Sequence, residues 1–297
     1  MADSVDTSAA TGQQAVDDLV RLLDLDQVAP DVFEGRSPQV DWQRVFGGQV
    51  AGQALVAAGR TVPDDRPVHS LHSYFVRPGD PRIPIRYEVD RARDGRSFSI
   101  RRVVARQNDD TIFALAASFQ LDQPGAEHQT PMPDVPDPES LPPISDHWTD
   151  APHDAKFYKV MAKPIDLRHV ELPPWQQRAL GPREGPSRVW LRADGRLPDD
   201  PLLHVCVLTF CSDMTLLDAV MIRHGLSVSV DDLSVASLDH AMWFRQPFRA
   251  DEWLLYSTES PSAAGSRGLA SGRFYTRAGV QVASVVQEGM VRVRSRG

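Results

Sequence analysis

The sequence predicts an α+β protein built from two tandem units, each a buried helix followed by a long run of antiparallel strands. Three observations carry this. Leu208–Leu226 (LTFCSDMTLLDAVMIRHGL) is apolar nearly all round, as expected of a helix inside a core. Val45–Val62 (VFGGQVAGQALVAAGRTV) is a second such stretch, and its many glycines cost helix propensity, so close packing must be the reason for them. Strand patterns follow each stretch in matching order: Leu71 to Gln120 and Leu238 to Gln287 both span 49 positions. Two copies imply a duplication, since a solenoid would need more.

Taken in order, Val16–Leu25 has helical spacing, with Val16, Leu19, Leu22 and Leu23 on one face. Val32–Gly35 reads as a short strand. The Gly-rich helix opens at Gly47-Gly48. His72–Val76, Ile83–Val89, Ser97–Gln107 and Thr111–Gln120 read as strands between turns at Pro78-Gly79-Asp80, Asp94-Gly95-Arg96 and Asn108-Asp109-Asp110. From Leu121 the chain becomes Pro- and acid-rich without periodicity, as in a linker crossing the surface. Pro164–Val170 and Ser187–Arg192 are strand candidates, with loop around Arg178–Gly185. In Leu208–Leu226, Ser212-Asp213 is read as the pair that caps the start of the helix and Gly225 as its stop. Strands are then expected over Val235–Phe248, Glu252–Glu259, Gly268–Thr276 and Val280–Arg294.

Composition excludes several classes. Hydrophobic residues make up 41% and charged residues 24%, which is ordinary for a globular protein. A net charge of −8 with no strongly basic segment argues against nucleic-acid binding. Cys206 and Cys211 lack C-x-x-C spacing and are expected to be reduced core residues of a cytoplasmic protein. No apolar run reaches the roughly 20 residues that span a membrane. The start, MADSVDTSAATGQQA, lacks the basic region and apolar core of a secretion signal, and residues 1–14 read as a disordered lead-in. His69 and His72 lie on a strand, where their spacing does not suit a metal, and no zinc spacing occurs. There is no G-x-S-x-G on which a serine nucleophile could sit.

Six motifs stand in order along the chain: RVFGGQVAGQAL (Arg44–Leu55), HSLHSYFVRPGD (His69–Asp80), CSDMTLL (Cys211–Leu217), SLDHAMWF (Ser237–Phe244), EWLLYSTES (Glu252–Ser260) and VASVVQEGMVR (Val282–Arg292). Together they resemble acyl-CoA thioesterase II, the TesB-type enzymes, from about Val16 to Arg294. The resemblance implies a double hot-dog fold, in which a long helix is wrapped by an antiparallel sheet, twice. The N-terminal hot-dog would be 15–121, the linker 122–160 and the C-terminal hot-dog 161–297. It implies a hydrolase of fatty acid metabolism that releases a free fatty acid and coenzyme A from acyl-CoA. Coenzyme A is then part of the substrate, and no cofactor, metal, nucleic acid or membrane is expected. A homo-oligomer, a dimer or higher, is implied as well. So are three catalytic residues: Asp213 in CSD; Ser237, two places before DHAMWF, where many relatives carry Thr; and Gln287 in VQEG.

Those residue types suit direct hydrolysis. A thioester carbonyl is electrophilic enough for an oriented water to attack. A carboxylate, a hydroxyl and an amide can hold that water, with Asp213 as general base supplying roughly 10²–10⁴-fold. The oxyanion needs donors, and backbone N–H groups at a helix start are suitable. The Gly47-Gly48 opening resembles the glycine pair of other hot-dog enzymes, so the Gly48 N–H is the expected donor. Blander readings stand beside these. Asp213 could be only a cap, Ser237 an ordinary strand serine, and Gln287 an outward residue like its first-half counterpart Gln120. Asp239 and His240 are strand neighbours that point to opposite faces, so structural roles are expected. Gly95-Arg96 and Gly265-Ser266-Arg267 are turns that could approach coenzyme A phosphates. The competing functions are a non-catalytic acyl-CoA-binding protein and an enoyl-CoA hydratase. The latter wants a His about five residues from its Asp, where this chain has Asp218.

Overall fold

A computed structural model describes residues 12–38, 44–148, 163–227 and 231–293. The expected lead-in falls mostly outside these residues, while Gln13 and Gln14 already belong to a helix. The first half runs α1 (Gln13–Leu23), β1 (Asp26–Ala29), β2 (Val32–Gly35), α2 (Gly47–Gly59), β3 (Val68–Phe75), β4 (Ile85–Asp94), β5 (Phe98–Gln107) and β6 (Asp110–Gln120). The second runs β7 (Ile165–His169), α3 (Pro174–Leu180), β8 (Ser187–Ala193), α4 (Pro201–Ser212), α5 (Asp218–Arg223), β9 (Leu233–Ser237), β10 (Asp239–Phe244), β11 (Leu254–Ala264), β12 (Arg267–Thr276) and β13 (Gln281–Val293).

The strands form one antiparallel sheet in the order β1-β2-β4-β5-β6-β3-β10-β13-β12-β11-β8-β7, with β9 also on β13. This order is a palindrome. β3 and β10 meet at the centre, where Ser73 pairs with His240, and each outward neighbour has its equivalent in the other half. Alternation along the strands sends one face inward: Leu71, Leu115, Met242 and Val285 are all buried against the helices. Each such side chain, fully buried, stabilises the fold by about 1.5–3 kcal/mol.

Inside the sheet α2 and α4 lie antiparallel, with Gly48 beside Phe210, Gly52 beside Cys206 and Gly59 beside Leu202. This contact is the packing reason for the glycines. A Cβ at position 48 would sit 2.4 Å from the Phe210 carbonyl oxygen, so only glycine lets the two backbones approach this closely. At the far end of α2 the fully buried Arg101 guanidinium donates to the carbonyl and hydroxyl oxygens of Thr61 and pairs with Asp94. A cation is well placed there, at the negative end of the helix dipole.

Three expectations are corrected. The helix expected over Leu208–Leu226 is two helices, and the long one starts earlier, at Pro201. Asp213 follows its last turn and does not cap its first. The cap is Asp200, whose carboxylate accepts from the Leu202 N–H at 2.9 Å, with proline in the first turn. The run from Leu202 to Leu217 is apolar on every side, so periodicity could not locate its ends. The Asp200-Pro201 pair was the available signal. Replacing Asp200 with alanine should cost about 1 kcal/mol, which urea denaturation would read. The segment around Arg178 is likewise the short helix α3, where loop was expected.

Between the halves, 121–148 contains only two short helical turns, Pro138–Ser140 and Ile144–His147. It is fastened to the second half by side chains. Trp190 donates to the Pro136 carbonyl, Trp253 to the Glu139 carboxylate, and Arg277 pairs with Asp137 and Glu139. Met132, Val135 and Leu141 cover a small cluster of Trp190, Trp253, Leu255 and Tyr275.

Candidate active site

The antiparallel helix pair decides what meets what. The C-terminal end of α4 lies at the N-terminal end of α2, so Asp213 comes to Gly47 and Gly48 from the other half of the chain. A Cβ on Gly47 would fall 2.6 Å from Asp213 Oδ2. The Gly48 N–H, expected to face an oxyanion, also lies near enough to Asp213 to favour its ionised form. Asp213 thus stands at the negative end of its own helix and is compensated by the positive end of α2. The Tyr256 hydroxyl donates to the Ser212 carbonyl at 3.0 Å, which fixes the turn that carries the carboxylate.

Ser237 and Gln287 come to the same place through an irregularity in the sheet. β9 and β10 are one strand with a β-bulge between them. Ala241 pairs with Val286 and Ser237 with Gly289, so β9–β10 takes four steps where β13 takes three. Leu238 donates to the Glu288 carbonyl, and the Glu288 N–H turns to the Asp239 carboxylate at 2.7 Å. In a regular strand Ser237 would share the outer face with Asp239. The extra residue turns it inward beside His240, with which it would otherwise alternate.

Five side chains then form a chain of four hydrogen bonds. Ser237 Oγ donates to Asp213 Oδ1 at 3.3 Å, and Gln287 Nε2 donates to Ser237 Oγ at 2.8 Å. Gln287 Oε1 faces His240 Nδ1, and His240 Nε2 lies 2.8 Å from Ser212 Oγ. Gln287, His240 and Ser212 are buried, with exposures of 0%, 1% and 0%. Burial pushes the Asp213 carboxyl above its usual range, while the nearby His240 and hydrogen bonds from Gln287, Ser237 and the Gly48 N–H pull it back down. Burial also holds the His240 imidazole below its usual value, against the upward pull of Asp213, Gln287 and Asp239.

The register also shows why one half carries this constellation. Continuing the β10–β13 register from Ala241–Val286 sets His240 opposite Gln287. In the first half Ser73, the residue that pairs with His240 at the centre of the sheet, lies opposite Leu115. Gln120, expected to be the counterpart of Gln287, is the last residue of β6 and pairs with Phe98. Sequence reading gave His240 a structural role only; its two ring contacts depend on the fold and leave no mark in the spacing. Among the described residues no group of three or more His, Cys, Asp or Glu could hold a metal, and no helix is long and apolar enough to cross a membrane.

A carboxylate beside a hydroxyl, an amide and a helix start is an arrangement that can bind and deprotonate a water. Known proteins agree in sequence with the chain that carries it. The profile described as acyl-CoA thioesterase matches residues 163–290, and that of the acyl-CoA thioesterase N-terminal domain matches 36–120. Mouse acyl-coenzyme A thioesterase 8 is 43% identical, over 92% of this chain and 88% of its own length. The chain belongs to the acyl-CoA thioesterase family. Acyl-CoA thioesterase 2 of Haemophilus influenzae is 34% identical to this thioesterase, over 93% of this chain and 98% of its own. The crystal structure of acyl-CoA thioesterase II TesB2 from Mycobacterium marinum has a TM-score of 0.77 and 44% identity, covering 93% of this thioesterase and 98% of that chain. A hot-dog protein from Alicyclobacillus acidocaldarius, 18% identical with a TM-score of 0.74, shares the fold. The thioesterase is therefore a double hot-dog hydrolase of acyl-CoA thioesters.

Proposed function

We propose that this thioesterase hydrolyses fatty acyl-CoA by direct attack of a water held by Asp213, Ser237 and Gln287. The observation that carries the reading is the convergence of Ser237 Oγ on both Asp213 Oδ1 (3.3 Å) and Gln287 Nε2 (2.8 Å). Asp213 takes a proton from the water as its oxygen bonds to the thioester carbon. The carbonyl oxygen becomes an oxyanion at the positive end of α2, where the helix dipole and oriented N–H groups favour negative charge. The tetrahedral species then collapses: the C–S bond breaks, and the proton on Asp213 passes to the departing coenzyme A thiolate. Gly48 serves the base directly through its N–H and the oxyanion through the field of the same helix start.

The hydratase reading finds no support in His240. Both ring nitrogens are engaged, by Gln287 and Ser212, so neither is available to a substrate. The same proposal takes the enzyme to be cytoplasmic, to use no cofactor, and to work as a homo-oligomer. Light scattering reads the assembly directly, and a monomeric mass would overturn the oligomer.

The mechanism is tested by a single turnover in ¹⁸O-water on acyl-CoAs from short to long chains. Direct attack places the label in the released fatty acid and none in the protein. Label appearing in the Asp213 carboxylate would mean that this residue attacks the thioester itself and forms an anhydride, and the proposal would be wrong.

A further inference from the structure

Gln287 can serve its part only if its carboxamide points one way. With Nε2 toward Ser237, the Ser237 hydroxyl hydrogen is left to go to Asp213 Oδ1. With the amide reversed, Oε1 would compete for that hydrogen and the carboxylate would lose a donor. The two ends of an amide differ little in shape, so a further group must choose between them. His240 is in contact with the other end, Oε1.

We propose that His240 is a positioning residue: its Nδ1–H donates to Gln287 Oε1 and so locks the amide that orients Ser237 and the attacking water. The inference rests on the proposed roles of Asp213, Ser237 and Gln287. Ser212 selects the required tautomer. Its Oγ lies 2.8 Å from both His240 Nε2 and the Thr209 carbonyl, and its one hydrogen, turned to Nε2 in place of Thr209, leaves the ring hydrogen on Nδ1. The result is a chain of donors running from Ser212 through His240, Gln287 and Ser237 to Asp213. Every hydrogen points toward the base. The imidazole is buried, so it orients the water through Gln287 and not by direct contact. Misplacing a catalytic group by about 1 Å can cost on the order of 100-fold, which is the scale expected here.

The test is steady-state hydrolysis of acyl-CoA by the full chain and four sets of variants. His240→Leu and His240→Gln remove the donor at the Nδ1 position and should lower kcat about 100-fold with KM unchanged. His240→Asn keeps an N–H where Nδ1 was and should recover kcat to within about 10-fold of the parent. Ser212→Ala frees the tautomer and should lower kcat several-fold, again without moving KM. Asp213→Asn and Gln287→Ala are run beside them. If these two keep parental kcat, the underlying catalytic reading fails. If they lose activity while His240→Leu stays within about 3-fold of the parent, the positioning role alone fails. A folded His240→Asn no better than His240→Leu also overturns it. Should the leucine variant not fold, Ser212→Ala carries the test, and parental kcat there overturns the proposal.

Discussion

Asp213→Asn should lower kcat by roughly 10²–10⁴-fold, because it removes the proton acceptor while keeping the shape of the side chain. KM should change little and the circular dichroism spectrum not at all. The parent enzyme's kcat/KM should fall on the acid side around an apparent pKa above the ordinary aspartate value of 3.8, since burial favours the neutral carboxyl and only the ionised form is a base. An acid limb at or below the ordinary value, or an asparagine variant with parental kcat, would contradict the assignment. Stability supplies an independent readout. The folded chain binds the Asp213 proton more tightly than the unfolded chain does. This carboxyl's contribution is therefore fully present below its unfolded pKa and is lost as the pH rises through the raised folded value. The asparagine variant does not titrate, so its Tm relative to the parent should climb over that window. Thermal melts at a series of pH values check the sign.

Two neighbouring glycines should fail in different ways when replaced by alanine. A Cβ at position 47 meets Asp213 Oδ2 at 2.6 Å and the Phe75 ring at 2.8 Å. The carboxylate end is movable, so Gly47→Ala should displace the base and cost on the order of 100-fold in kcat with little loss of stability. A Cβ at position 48 meets the Phe210 carbonyl oxygen at 2.4 Å, which is backbone and cannot turn aside. Gly48→Ala should spread α2 from α4 and destabilise the fold by about 1–3 kcal/mol. Chemical denaturation and thiol release on the same preparations separate the two effects. Equal loss of stability in both variants would show that position 47 is also a backbone contact.

Much of the strand set was legible because alternation survives in the chain. β5, β6, β8 and β12 fall within a residue or two of their expected limits. The helices were harder. Gly47-Gly48 marked the start of α2 correctly, since small residues break an otherwise apolar run there. Nothing comparable marks Asp213 in the run from Leu202 to Leu217, and the helix was placed too late and capped by the wrong aspartate. β1 and α3 are too short to impose a period, and neither was expected. The repeat was visible in the order of elements, but its register was not. Gln120 closes β6 opposite Phe98, whereas Gln287 sits in the middle of β13 opposite Ala270, because register is decided by which residues hydrogen-bond across strands.

What the sequence determined alone was the architecture and the family: apolar patterning dictates which faces must be buried, and motifs in order survive without coordinates. The tertiary structure decided which groups meet. Antiparallel packing of α2 and α4 brings a carboxylate from one half to the helix start of the other, a bulge of one residue turns Ser237 inward, and His240 reaches Gln287 across paired strands. Those contacts join residues far apart along the chain, and local propensity and spacing carry no information about distances of that kind.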